Sequence, residues 1–127
     1  ITGEQSYMDK AAQVLLYGLE SNRTTSGGLL RSEGENMDQS IFKAVFIPYA
    51  VNYVLDADAD VNSAGRIKEK LLKNAESLYK HIDRTYYPSM FCNYWWGEAV
   101  PQGIRVSMGA QASGASLMEN VARMVKK

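Results

Sequence analysis

Two stretches of the chain place apolar residues on one face of a helix. The first runs from Glu4 to Glu20; the second begins at Asn62 or Ser63, either of which could cap it, and reaches about Ile82. Lysine and glutamate residues lie opposite the second stripe. This pattern predicts two amphipathic helices that each bury one side. Their apolar positions are Tyr7, Ala11, Val14, Leu15, Gly18 and Leu19 in the first helix, and Ile67, Leu71, Ala75, Leu78 and Ile82 in the second.

The segment between these helices is apolar on every side. We predict a helix that is capped by Asp38 or Ser40 and ends near Leu55. Because its apolar residues form no stripe, this helix must be buried on nearly all sides. Pro48 lies inside it and removes one backbone hydrogen bond, which predicts a kink or a local break.

A fourth helix is predicted from about Gly109 to Val125. It begins with small residues, which allow another helix to approach closely: Ala110, Ala112, Ser113, Gly114, Ala115 and Ser116. The order amphipathic, buried, amphipathic and tightly packed is typical of a two-layer array of antiparallel helical hairpins. We therefore predict an all-α fold of about four helices, in which only Phe91–Trp96 could form a short extended piece.

Two connecting segments are candidates for functional loops. Ser21–Asn36 is interrupted by glycines and is longer than most loops, and loops of this length are usually either functional or disordered. Asp56, Asp58 and Asp60 alternate as in a calcium-binding loop, but the sixth position lacks glycine and the twelfth lacks glutamate. We interpret this segment as a solvated turn between helices.

Six aromatic residues cluster in the segment before the last helix. Tyr and Trp rings in a loop can stack on a sugar ring, or they can fill the end of a helix pair. The residues alone leave both interpretations open. Within the cluster we expect Trp96 to be structural, because its neighbour Gly97 suggests tight packing, and Trp95 to be exposed. The six residues are Tyr86, Tyr87, Phe91, Tyr94, Trp95 and Trp96.

Composition excludes several classes of protein. The chain has 127 residues, enough for a single core, and its 14 basic residues balance 14 acidic ones. A nucleic-acid partner is not expected without a basic excess, and no apolar run approaches the roughly 20 residues of a membrane span. One cysteine and one histidine exclude an internal disulfide and a cysteine-rich or multi-histidine metal site, so we predict neither a metal nor another cofactor.

No catalytic group can be assigned from the residues alone. Glycoside hydrolysis needs two carboxyl groups about 5–10 Å apart. The sequence does not show that any two of the loop carboxylates meet, and surface positions are the favoured interpretation. The spacing of His81 and Cys92 does not support a nucleophile and base, so packing roles are favoured for both. The loop carboxylates are Glu33, Glu35, Asp38 and Glu98.

Four short motifs in order resemble glycoside hydrolase family 76, the endo-α-1,6-mannanases and related enzymes. The resemblance covers nearly the whole chain and implies part of an (α/α)₆ toroid. Ala44 and Pro48 depart from the family pattern. The motifs are Thr2-Gly3-Glu4-Gln5-Ser6-Tyr7 with Ala11-Ala12; Gly28-Leu29-Leu30 with Asp38 and Phe42-Lys43-Ala44-Val45-Phe46; Asn74-Ala75-Glu76-Ser77; and Trp96-Gly97 with Gln111-Ala112-Ser113-Gly114.

The resemblance also implies what this chain contributes. Family members use two adjacent aspartates as nucleophile and acid/base, and no Asp-Asp pair occurs here. We therefore expect residues 1–127 to form one unit, the C-terminal third of a larger glycosidase domain, with no catalytic residue of its own. The expected ligand is α-mannan or a related glycan. Candidate substrate-binding residues are Phe42, Lys43, Tyr94, Trp95 and Trp96, with the Gly27–Leu30 loop.

Partner and location are expectations of the same kind. The chain should pack against the N-terminal part of its own protein or against a second copy, through the Glu4–Glu20 helix or the Ala110–Val125 helix. The resemblance implies secretion or the cell envelope, with any targeting segment upstream of Ile1 or removed. The alternatives are a non-catalytic helical module that binds a glycan or a protein, and a helical interaction domain with no carbohydrate role.

Overall fold

The structure, a computed structural model, describes residues 4–32, 34, 39, 41–86, 89–101 and 106–126. Within this part of the chain it contains four helices and two short antiparallel hairpins. The all-α class is confirmed, and the hairpins were not predicted. The elements in chain order are α1 (Glu4–Glu20), β1 (Thr25–Ser26), β2 (Leu29–Leu30), α2 (Phe42–Leu55), α3 (Val61–His81), β3 (Asp83–Tyr86), β4 (Ser89–Phe91) and α4 (Met108–Lys126).

The helices form two layers. α2 packs chiefly on α4, and α1 packs chiefly on α3, while α3 also contacts both α2 and α4. This arrangement agrees with the predicted alternation of amphipathic and apolar helices. The core lies between the layers and includes Leu15, Leu19, Ile47, Val51, Ile67, Leu71, Leu78, Trp96, Leu117, Val121 and Met124.

Helix α2 is buried on one side only. Ile47, Ala50 and Val51 have no exposed surface, whereas Val45 is 59% and Tyr49 66% exposed. The expected burial on nearly all sides is therefore wrong for this chain by itself. Three neighbouring helices cover one face of α2 and leave the other to solvent.

Helix α2 passes through Pro48 without the predicted break. Proline has no N–H, so the carbonyl of Ala44, four residues earlier, loses its usual donor. The hydroxyl of Ser116 on α4 donates to this carbonyl at 3.1 Å. A side chain from the neighbouring helix thus replaces the missing bond. The small residues that open α4 allow the two backbones to come close enough.

The turn between α2 and α3 is held by its aspartates. The backbone N–H of Asp58 donates to Asp56, and that of Ser63 donates to Asp60, at 2.8 and 2.9 Å. Asp60 therefore caps α3, in place of the predicted Asn62 or Ser63. The bond from the Ser63 backbone N–H to the carboxylate lowers the pKa of Asp60. The predicted caps of α2, Asp38 and Ser40, lie outside the described residues.

The predicted extended piece is displaced along the chain. Phe91 is the last residue of β4, and residues 94–98 bend and turn instead of extending. The pairing lies earlier, between β3 and β4, with Asp83 opposite Phe91. The aromatic segment therefore leaves the hairpin and folds back towards α2 and α3.

Candidate functional site

Lys43 joins the start of α2 to the aromatic segment before α4. It lies in the first turn of α2, and its Nζ donates to the carbonyl of Tyr94 at 2.7 Å. The same Nζ lies 3.9 Å from the centroid of the Trp96 ring. Lys43 is 4% and Trp96 1% exposed, so the ammonium–ring contact is largely desolvated. Such contacts contribute about 2 kcal/mol. Three of the five predicted binding residues therefore meet, but two of them are core residues in this chain.

Trp95 lies beside this cluster and is half-buried. Its indole covers the backbone of Gly97, where an added Cβ would lie 2.5 Å from the ring. Gly97 thus makes room for Trp95 and not for Trp96, and Trp95 is less exposed than expected. The indole N–H groups of both tryptophans are buried without a hydrogen-bond partner among the described residues. Phe42 begins α2, but its side chain lies outside the described residues.

Polar side chains of α3 and α4 hold the aromatic segment in place. Ser77 Oγ donates to the carbonyl of Trp96 at 2.8 Å. The side-chain amide of Gln111 accepts from the N–H of Cys92 and donates to its carbonyl, both at 2.8 Å. The N–H of Ser107, just before α4, donates to Tyr94 Oη at 2.9 Å. Backbone and aromatic side chains are therefore fixed at three points.

Asn74 holds the other long connection. This fully buried residue accepts from the N–H of Leu30 in β2 at 2.9 Å, and donates to the carbonyl of Lys70 at 2.8 Å. Gly27 and Gly28 both have positive φ, +61° and +83°, as a two-residue hairpin turn requires. Asn74 and Ser77, three residues apart on one helix face, thus position both connections.

Asn74, Ser77 and Gln111 were not predicted as positioning residues. All three lie in the motifs that resemble the family, and Asn74 carries a second signal, because it continues the apolar stripe through Ile67, Leu71 and Leu78 at helical spacing. A polar residue in such a stripe must find hydrogen-bond partners when it is buried. Their partners in the two connections lie 19 to 44 residues away, so periodicity could not identify them.

Cys92 is part of the packing between the aromatic segment and α4. Its Sγ lies 3.4 Å from the carbonyl of Ala110, and a Cβ added at Gly114 would lie 2.5 Å from that sulfur. Burial raises the pKa of the Cys92 thiol. His81 Nδ1 lies 2.9 Å from the carbonyl of Ser77, within its own helix. These contacts agree with packing roles for both residues.

A pocket of about 300 Å³ opens where α1 ends and α2 begins. Leu30 is the member of the predicted Gly27–Leu30 loop that lines it. Arg31 is fixed at its edge, because Nε donates to the carbonyl of Thr25 at 2.9 Å and Nη2 to that of Asn22 at 3.0 Å. The lining residues are Gly18, Arg23, Thr24, Leu30, Arg31, Ser32, Lys43 and Phe46.

Of the four candidate carboxylates, the described residues include Glu98 alone, so the distances between these groups are not tested. Glu33, Glu35 and Asp38 lie outside the described residues, and Glu98 is exposed. Among the residues that are described, no three His, Cys, Asp or Glu side chains are grouped so that they could hold a metal ion. Within the same residues, no helix has the length and hydropathy of a membrane span.

Comparison with solved structures shows similarity to one enzyme in three forms. The α-1,6-mannanase of Salegentibacter sp. HEL1_6, a member of glycoside hydrolase family 76, matches over 97% of this chain with a TM-score of 0.83 and 28% identity. One match is the enzyme itself; the others are inactive variants with two consecutive aspartates replaced, bound to α-1,6-mannotetraose and to α-1,6-mannotriose. No protein-family model and no curated protein matches the sequence.

The chain therefore has an all-α glycosidase fold, that of part of an (α/α)₆ toroid. It resembles the α-1,6-mannanases of glycoside hydrolase family 76 in structure and in sequence, as its motifs indicated. It spans 34–35% of the length of the matched enzyme chains.

Proposed function

We propose that this chain is the C-terminal third of a glycoside hydrolase that acts on α-mannan, and that it supplies scaffold and part of the wall of the substrate cleft. One observation carries the proposal: 97% of the chain matches about a third of a mannanase that has been captured with α-1,6-mannotriose and α-1,6-mannotetraose. The sequence contains no two consecutive aspartates, so the catalytic pair would lie in the N-terminal part of the same protein.

The predicted binding residues would have two roles: some would contact the sugar, and others would position those that do. Tyr94 and Trp95 are half-buried and retain surface that a sugar can contact. Lys43 and Trp96 have less than a twentieth of their surface exposed, so they would act by holding the Tyr94 backbone in place. Phe42 remains a predicted contact from the first turn of α2. Secretion or a place in the cell envelope is proposed from the family resemblance alone.

Titration of the 127-residue chain with α-1,6-mannotetraose, followed by NMR, tests the cleft wall. We expect α-1,6-mannotetraose to bind weakly and to shift the Trp95 indole signal. The Trp95→Ala variant should no longer bind this ligand. The control is Tyr79→Ala, which removes an exposed aromatic side chain from α3, outside this site. Binding that is unchanged in Trp95→Ala contradicts the assignment of Trp95.

A reducing-sugar assay with α-1,6-mannan tests the absence of catalysis. We expect no product from this chain at any concentration, because the paired aspartates are not in it. Turnover that co-purifies with the chain and is changed by substitutions within it would contradict the proposal. Failure to bind any mannooligosaccharide would instead favour a helical interaction module.

A further inference from the structure

The pocket between α1 and α2 carries two arginines at its edge. Arg23 and Arg31 both line it, and none of the lining residues that the structure describes is acidic. Arg31 is held in one orientation by its two bonds to the carbonyls of Thr25 and Asn22. Both acceptors are neutral carbonyl oxygens, so neither bond pairs the guanidinium with an anion. Planar guanidinium groups match carboxylate, sulfate and phosphate oxygens in geometry and charge.

At the C-terminus of α1, threonine hydroxyls and not the arginines bond to the carbonyls of Tyr17 and Ser21. Thr24 Oγ1 donates to the carbonyl of Tyr17 at 3.1 Å, and Thr25 Oγ1 donates to that of Ser21 at 2.8 Å. The N–H of Ser21 also donates to the carbonyl of Tyr17. These bonds satisfy the carbonyl of Tyr17, in the last turn of α1, and that of Ser21, just after it.

The rest of the pocket suits a small sugar. Phe46 lies against Gly18, where an added Cβ would be 3.1 Å from the ring. Because glycine has no side chain, the ring can pack directly on the α1 backbone. An aromatic side chain can contact the apolar face of a sugar, and the hydroxyls of Thr24 and Ser32 can bond with sugar hydroxyls. A volume of about 300 Å³ lies at the lower end of the range for small-molecule sites.

We propose that this pocket binds the oxyanion group of an acidic sugar, with Arg23 and Arg31 as its charged ligands. Lys43 also lines the pocket, but its ammonium is engaged with the Tyr94 carbonyl and the Trp96 ring, so we assign the anion to the two arginines. In the context of the proposed function, the pocket would recognise a charged substituent on the glycan. The anion site itself does not depend on mannan as the substrate.

Calorimetric or NMR titration of the chain with mannose 6-phosphate tests the proposal, with mannose and inorganic phosphate as comparison probes. We expect mannose 6-phosphate to bind more tightly than either comparison probe. Its affinity should fall at high salt, because both arginines are largely exposed to solvent. Equal affinity for inorganic phosphate would overturn the sugar part of the proposal, and no binding of mannose 6-phosphate would overturn all of it.

Two arginine variants locate the site. Arg23→Gln should weaken mannose 6-phosphate binding about tenfold, the size of one lost charge-assisted contact. The control is Arg84→Gln, which removes another exposed arginine, one that donates to the carbonyls of Ile82 and Tyr79 and does not line the pocket. Equal affinity in Arg23→Gln and wild type would overturn the assignment. Mannotetraose titration, which tests the proposed function, uses a neutral ligand, so the two proposals can fail separately.

Discussion

Lys43 carries a positive charge into a place where water has almost no access. Burying an ammonium group costs several kcal/mol unless other groups compensate for the lost hydration. Here the Tyr94 carbonyl accepts one of its hydrogen bonds and the face of the Trp96 ring lies 3.9 Å away. The lysine therefore ties the start of α2 to the aromatic segment. Two of the groups that compensate for burial of this ammonium are 51 and 53 positions away in the sequence.

Replacing Trp96 should destabilise the fold far more than replacing Trp95. Trp96→Ala removes a ring that is 1% exposed and takes a partner from Lys43, and we expect a loss of about 3–5 kcal/mol in the free energy of unfolding. Trp95→Ala should cost clearly less, since Trp95 is half-buried. Urea unfolding followed by circular dichroism measures both. Equal losses for the two variants would show that Trp96 is not the structural member of the pair.

At the scale of elements, α4 makes specific contacts with α2 and with the aromatic segment. Ser116 supplies a hydrogen bond to α2, Gln111 holds the backbone of Cys92, and Gly114 leaves room for the Cys92 sulfur. At several positions near the start of α4, the residue type is therefore required by a particular contact. Close approach alone would require only that the side chains be small.

Gly114→Ala should destabilise the chain although alanine favours helices. The new Cβ would lie 2.5 Å from Cys92 Sγ, a distance that forces the sulfur or the helix to move. Gly65→Ala is the matched control in α3, because nothing lies within 4 Å of its added Cβ, and it should stabilise the chain by about 0.5–1 kcal/mol. Thermal unfolding compares the two. Adding Cys92→Ala to Gly114→Ala should recover part of the lost stability, because it removes the sulfur that the new Cβ would meet. Stabilisation by Gly114→Ala alone would contradict the packing described here.

The helices could be predicted from sequence because each carries its own periodic pattern. α1 begins at Glu4 and ends at Glu20 as its stripe indicated, and α3 ends one residue before the predicted Ile82. Asp60 was missed as the cap of α3 because it lies in an alternating acidic run that resembles a different motif. The spacing of apolar residues indicates which face of a helix is buried, but it does not identify the residue that caps the helix.

The candidate site was predicted only in part, for a related reason. Aromatic clustering identified Tyr94 and Trp96, and the family resemblance added Lys43. The residues that position the site, Asn74 and Gln111, act through bonds to the backbone of distant segments. Such bonds leave no pattern in the residues that receive them.

At the scale of the whole molecule, apolar side chains remain exposed on all four helices that the structure describes, with Val61 and Tyr79 on α3. α1 exposes an apolar and aromatic row, α2 exposes Val45 and Tyr49, and α4 exposes several apolar side chains at intervals along its length. Contiguous apolar surface of more than a few hundred Å² is unusual on a monomer. The exposed residues on α1 are Tyr7, Val14 and Tyr17, and those on α4 are Met108, Met118 and Val125.

We expect the purified chain to self-associate through these faces. Light scattering should show a dimer or larger species, and Val14→Glu on α1 should shift it towards monomer. Val61→Glu is the matched control, because Val61 is exposed to a greater extent but lies at the first residue of α3, next to the turn. A stable, cooperative monomer that does not bind a dye for apolar surface would contradict both self-association and the proposal that a larger domain covers these faces.

Pro48 and Ser116 also bear on how similar helices find the right neighbour. A toroid repeats one architectural unit several times, and apolar packing by itself distinguishes poorly between one unit and the next. The proline leaves the Ala44 carbonyl without its backbone donor at a fixed height on α2, and the Ser116 hydroxyl lies at the matching height on α4. A shift of one residue would move that hydroxyl by about 1.5 Å and 100° around its axis. The pair thus favours α4 as the neighbour of α2 and aligns the two helices along their axes.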